Sequence, residues 1–142
     1  MGFNRKKIFL QNSGGKYPPV KGLVILDMDN KCLHLFVRGL PEPVQFGRDK
    51  LTGQKYNVYE AWLFDGRKNR FISAGWLRKV NRISHLFYRS SNLGNYNAIL
   101  ITAQDRMGSV SPTPAVVLQG DLIKGFPDLD AETTRKGEAG PV

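Results

Sequence analysis

Apolar residues recur at every second position through several short stretches of this chain, and nowhere at the spacing of an amphipathic helix. In 32–39 (CLHLFVRG), Leu33, Leu35 and Val37 fall on one side of an extended chain and His34, Phe36 and Arg38 on the other. That is the pattern of a strand with one buried face. The preceding stretch 21–29 (KGLVILDMD) is apolar and β-branched, and Asp29, Asn30 and Lys31 supply a turn, so 21–39 reads as a hairpin. Residues 40–54, with Pro41, Pro43, Gly47 and Gly53, break every periodicity and read as a long connection.

A second hairpin follows at 56–77, with Trp62 on one arm and Trp76 on the other. Tyr56, Val58, Glu60, Trp62 and Phe64 alternate with Asn57, Tyr59, Ala61 and Leu63, and since neither set is fully polar the strand is expected to be central or covered on both sides. Its turn, 65–69, offers Gly66 for a positive φ, and Ser73-Ala74-Gly75 allows a close approach or a bulge at Gly75. Further strands are expected at 82–89, 96–104 and 114–120, with a polar turn at 90–95. The predicted fold is all-β, an antiparallel sandwich of immunoglobulin-like type with seven to eight short strands in 20–125. Residues 1–19 read as an irregular arm with a short strand at 7–10, and 126–142 as a flexible tail too poor in apolar residues to pack.

Charge changes the picture of what such a sandwich meets. The 142 residues make one domain with a formal net charge of +9, which suits an acidic partner: nucleic acid, an anionic surface or an acidic protein. The competing reading is a solvated basic face that discourages edge pairing. The cations cluster at two turns, Arg67, Lys68 and Arg70 at the first and Arg78, Lys79 and Arg82 at the next. These turns lie at opposite ends of a shared strand, so they form two patches, whereas a single-stranded nucleic acid needs a continuous track interleaved with aromatic rings. No stretch approaches the ~20 apolar residues of a membrane helix, and the N-terminal apolar run is too short for a secretion signal, which gives a cytoplasmic expectation.

Reactive chemistry is sparse. Cys32 is the one cysteine and sits in an apolar run, as a buried inert thiol does. His34 and His85 are the two histidines, with no cysteine pair or carboxylate cluster to complete a metal site. Ser84 and His85 are adjacent in a strand and face opposite ways, so they form no nucleophile–base pair. Asp27 and Asp29 read as turn carboxylates rather than a calcium site. Neither an enzyme activity nor a cofactor is expected.

Taken in order, Gly39-Leu40-Pro41, Tyr59-Glu60-Ala61-Trp62-Leu63, Ser73-Ala74-Gly75-Trp76, Thr102, and Ser111-Pro112-Thr113-Pro114 before Ala115 to Leu118 and Gly120 follow a recognisable sequence. Over residues 35–120 the chain resembles the C-terminal, extracytoplasmic domain of the anti-sigma-K factors. It departs at Gln104, where that family tends to have Glu, and it has neither the family's N-terminal sigma-binding domain nor its membrane helix. The resemblance implies a β-sandwich acting as a regulatory or protein-interaction module, with a protein partner but without direct sigma-factor binding. The basic residues of the two turns, together with Trp76, are the candidate partner-binding positions, with an anionic polymer as the alternative partner. Edge strands also make a homodimer by sheet extension conceivable.

Overall fold

The alternating stretches pair as antiparallel strands in two facing sheets, the all-β sandwich expected from the sequence. The structure is a computed structural model and describes residues 5–12, 20–106, 111–123 and 126–127. The first sheet holds β1 (Arg5–Phe9), β3 (Lys21–Asp27), β4 (Cys32–Arg38), β7 (Arg78–Val80), β8 (Ile83–Arg89) and β11 (Phe126–Pro127). The second holds β2 (Gln11–Asn12), β5 (Val58–Asp65), β6 (Arg70–Trp76), β9 (Tyr96–Gln104) and β10 (Val116–Asp121). Their spatial orders are β11-β1-β3-β4-β8-β7 and β2-β10-β9-β5-β6.

The described residues hold eleven strands where seven to eight were expected, because two of the long ones change sheets part-way and Phe126–Pro127 adds a short one. β1 pairs with β3 in the first sheet, and after Leu10 the same chain pairs with β10 in the second as β2. At the opposite edge β6 pairs with β5, and after Leu77 the chain pairs with β8 as β7. The backbone N–H of Leu10 donates to Gly22 and that of Leu77 to Tyr59, so each crossing residue is tied to the strand beside it. The chain thus crosses between the sheets at two corners.

Three expectations are corrected here. Residues 5–12 are sheet rather than part of an irregular arm. Residues 78–82 are not one basic turn: Arg78–Val80 is a strand, and only Asn81 and Arg82 turn the chain. Phe126–Pro127, placed in the tail, pairs with β1, while 128–142 lie outside the described residues.

Between the sheets, Val24, Leu26, Leu33, Leu35, Val37 and Leu86 of the first meet Tyr59, Ala61, Leu63, Ile99, Ile101, Ala103 and Leu118 of the second. β5 is central, between β9 and β6, and all of it but Phe64 is buried, in keeping with its two apolar faces. The bulge expected at Gly75 is present: Ala61 faces Gly75 while Trp62 faces Ser73, leaving Ala74 extra, and Gly75 takes φ 125°. In the β5–β6 turn it is Asn69, not Gly66, that has a positive φ, at 52°. Gly66 instead lets its N–H approach Asn97 Oδ1 to 2.7 Å, where a Cβ would collide with that oxygen.

The corner at Leu10 is packed by design of small neighbours, since Gly22 and Gly120 leave the space its side chain occupies. Leu10→Ala would empty that space at the point where the sheets join. It is expected to lower the unfolding free energy by about 2–5 kcal/mol in a urea titration. A loss well under 1 kcal/mol would show that the corner carries little of the stability.

Candidate functional site

The outward side of the first sheet holds the most unusual surface. Register sets four rows across it. Phe9, Leu23, Phe36, His85 and Arg78 form one row over five strands, and Lys7, Ile25, His34 and Phe87 form the next. These two apolar-aromatic rows are bounded by Arg5, Asp27, Cys32 and Arg89 on one side and by Lys21, Arg38, Ile83 and Val80 on the other.

Four rings at the middle touch one another. His34 stacks on Phe36 with centroids 4.3 Å apart and planes 25° apart, and it meets the edge of Phe87 at 5.7 Å. Phe36 meets His85 edge to face at 5.5 Å. Arg89 places its guanidinium 5.7 Å from the Phe87 centroid, at cation–π distance. Phe9 and Phe87 are 65 % and 53 % exposed, whereas His34, Phe36 and His85 are half-buried between them and their neighbours.

Electrostatically the face is one-sided. Arg5, Lys7, Lys21, Arg38, Arg78 and Arg89 surround the rings, and the one carboxylate in the four rows is Asp27. Asp27 is committed locally, accepting hydrogen bonds from the N–H and Nδ2 of Asn30, and these hold its carboxyl below the usual range. Cys32 lies half-buried in this face, not in the core as expected, because it shares the outward side of β4 with His34.

The candidate residues at the turns distribute as follows. Arg67 and Lys68 lie in the β5–β6 turn and Arg70 opens β6, at one end of the second sheet. The turn is built on Asp65, whose Oδ1 accepts from the N–H of Arg67 and of Lys68. Arg78 joins the ring-bearing face, with Lys79 and Arg82 at its border. Trp76 is 43 % exposed on the second sheet, with the Arg106 guanidinium 5.2 Å from its ring centroid. The structure thus brings Arg78 to the rings and leaves the Arg67 group and Trp76 elsewhere.

Sequence reasoning assigned His34 and Phe36 to a less apolar face and missed the site. The signal was present as His and Phe at alternate outward positions in both 32–38 and 83–89. What was missing is that β4 and β8 are neighbours, since β5, β6 and β7 intervene in the chain.

The second sheet's outward side is a buried polar network instead. Trp62, 1 % exposed, donates from Nε1 to Thr102 Oγ1 at 3.0 Å, and Thr102 donates onward to Gln104 Oε1. The same oxygen accepts from the Thr113 N–H at 2.9 Å, and Ser73 Oγ donates to Glu60. Tyr59 Oη donates to the carbonyl of Pro41, tying down the 40–54 connection. Gln104 Nε2 is buried without a partner, at a cost of about 1–3 kcal/mol. Residues from the motifs at 39–41, 59–63, 73–76, 102 and 111–114 therefore meet in structural hydrogen bonds, which is work that any ligand specificity would leave unchanged.

No family model, curated protein or solved structure matches the chain.

Two measurements follow from this geometry. Iodide should quench Trp76 and leave Trp62 dark to it, so Trp76→Phe is expected to leave only a blue-shifted, unquenched emission; quenching in that variant would contradict the burial of Trp62. Burial, and secondarily the His85 imidazole, hold the His34 pKa below its ordinary 6.5. The unfolded chain therefore takes up a proton more readily than the folded one, so stability is full above 6.5 and falls as the pH drops through it. The melting temperature should fall between pH 7.5 and 5.5, and His34→Phe should flatten part of that fall. An identical fall in variant and wild type would remove His34 as a cause.

Proposed function

We propose that this protein binds single-stranded nucleic acid on the outward face of the first sheet. The observation that carries the reading is the band of half-buried His34, Phe36 and His85 with exposed Phe87, on an outward face bordered by cations with a single, locally committed carboxylate. Unpaired bases stack on such rings whatever their sequence, and the flanking Arg and Lys take the phosphates. A duplex buries its base faces and offers nothing to a flat aromatic band. The basic, non-enzymatic binding module that the net charge suggested thereby acquires a continuous track on the face of the sheet, away from the Arg67 turn.

A second reading, a protein-interaction module of the kind implied by the resemblance to the anti-sigma-K C-terminal domains, draws on Trp76 and Arg106. An exposed Trp under a guanidinium has the composition of an interface anchor. It sits on the other sheet, so the two readings separate by mutation.

Anisotropy of a labelled single-stranded RNA or DNA decides the matter. Binding should weaken steeply with salt, since displaced counterions enter the equilibrium. Phe36→Ala with Phe87→Ala should cost about 1–3 kcal/mol per lost stack while leaving the salt slope in place, and Trp76→Ala should leave affinity unchanged. Absence of binding at low salt, or equal binding of duplex, would overturn the reading.

A further inference from the structure

At one border of the ring-bearing face, a notch of about 570 Å³ opens between the end of β4 and the β7–β8 turn. Arg38 and Gly39 form one wall, and Lys79, Asn81 and Arg82 the other. Three cations converge there and no carboxylate lines it. Among the described residues none of the three side chains is engaged in a hydrogen bond or ion pair. Like charges gathered without a counter-charge repel one another, and an anion relieves that repulsion.

The backbone supplies a second, independent observation. Val80 pairs with Ile83, so Asn81 and Arg82 alone make the turn, with φ of 51° and 71°. A two-residue turn with both central φ values positive favours Asn at the first position and Gly at the second. Asn81 suits its place, whereas Arg82 holds a side chain in the conformation that glycine adopts without strain. Strain of this kind persists where the surrounding structure over-determines it, and functional sites are where it gathers. Among the described residues Arg82 makes no hydrogen bond or ion pair to offset it, and the residue lines the notch.

We propose that this notch is a phosphate subsite: it takes a phosphate group of the nucleic-acid strand laid across the aromatic rows, held by Arg38, Lys79 and Arg82. The proposal rests on the single-strand reading above and adds where the strand is anchored. The row Lys21, Arg38, Ile83 and Val80 runs directly into the notch, so a phosphate seated there lies at one border of the rings. An Arg pair with a Lys offers forked and point-like donors to the same group.

Arg82→Gly separates the structural from the binding role, because glycine relieves the turn while deleting the cation. The variant is expected to melt at a higher temperature than wild type, to bind a labelled single-stranded RNA about tenfold more weakly, and to show a salt slope smaller by about one. Lys79→Gln should weaken binding and slope in the same direction without the rise in melting temperature. Unchanged affinity and slope in both variants, with wild type binding and the Phe36→Ala, Phe87→Ala protein impaired, would overturn the subsite and leave the single-strand reading standing. If wild type binds no oligonucleotide, the single-strand reading falls and inorganic pyrophosphate tests the notch alone. A rise in wild-type melting temperature that Arg82→Gly abolishes supports an anion subsite, and no rise overturns it. Comparison of 5′-phosphorylated with 5′-hydroxyl RNA assigns the phosphate: a preference lost in Arg82→Gly supports a terminal phosphate, and equal affinities weakened alike by the variant support an internal one.

Discussion

Two residues, Leu10 and Leu77, carry the chain from one sheet to the other at opposite edges of the molecule, and the architecture depends on those crossings. An open sandwich of short antiparallel strands would present unpaired backbone donors and acceptors along its edges. Here β6, at the edge of the second sheet, continues into β7 at the edge of the first, and β1, flanked by β11 and β3, continues into β2 at the edge of the second. Backbone hydrogen bonding therefore passes around the corners, and the inner faces are clamped together over their apolar residues. Glycines at 22 and 120 and the bulge beside Gly75 are the local concessions that make such bends possible.

The two outward faces differ. The face of the second sheet is consolidated by Trp62, Thr102, Gln104 and Thr113, whose donors and acceptors satisfy one another with the exception of Gln104 Nε2. The face of the first sheet has rings and cations in place of such a network. His34 and Phe36 stack on each other and meet Phe87 and His85 of β8 edge to face, which holds the four rings in one interlocked cluster. Rigid rings on paired strands lose little conformational freedom when a base stacks on them. The basic rows at either side act at longer range, and the notch at Arg82 would convert that diffuse attraction into a fixed point of attachment.

The residues that carry the resemblance to the anti-sigma-K domains belong to the consolidated face and to the tether between Tyr59 and Pro41. Their geometry explains why such a pattern describes a scaffold. An indole donating to a threonine hydroxyl one strand away, and a tyrosine hydroxyl holding a long connection, specify how strands lie together. Apart from Gly39 and Leu40 at the notch, the residues of the pattern lie away from the sheet that carries the rings and cations.

Period-two alternation determined the strands and the inward set Leu33, Leu35 and Val37, and it left the two-Trp hairpin's first arm as central or covered on both sides and Gly75 as a close approach or a bulge, because each is decided by side chains a few residues apart. Charge and composition likewise determined that an anionic partner was worth considering. The strand changes at Leu10 and Leu77 were not legible, since a bend between two extended segments leaves the alternation intact. Nor was the site, because His34 and Phe36 become a platform only when β8 lies beside β4, a pairing across three intervening strands. Local chemistry sets which way a side chain points; only the order of strands in the sheet decides what it points beside.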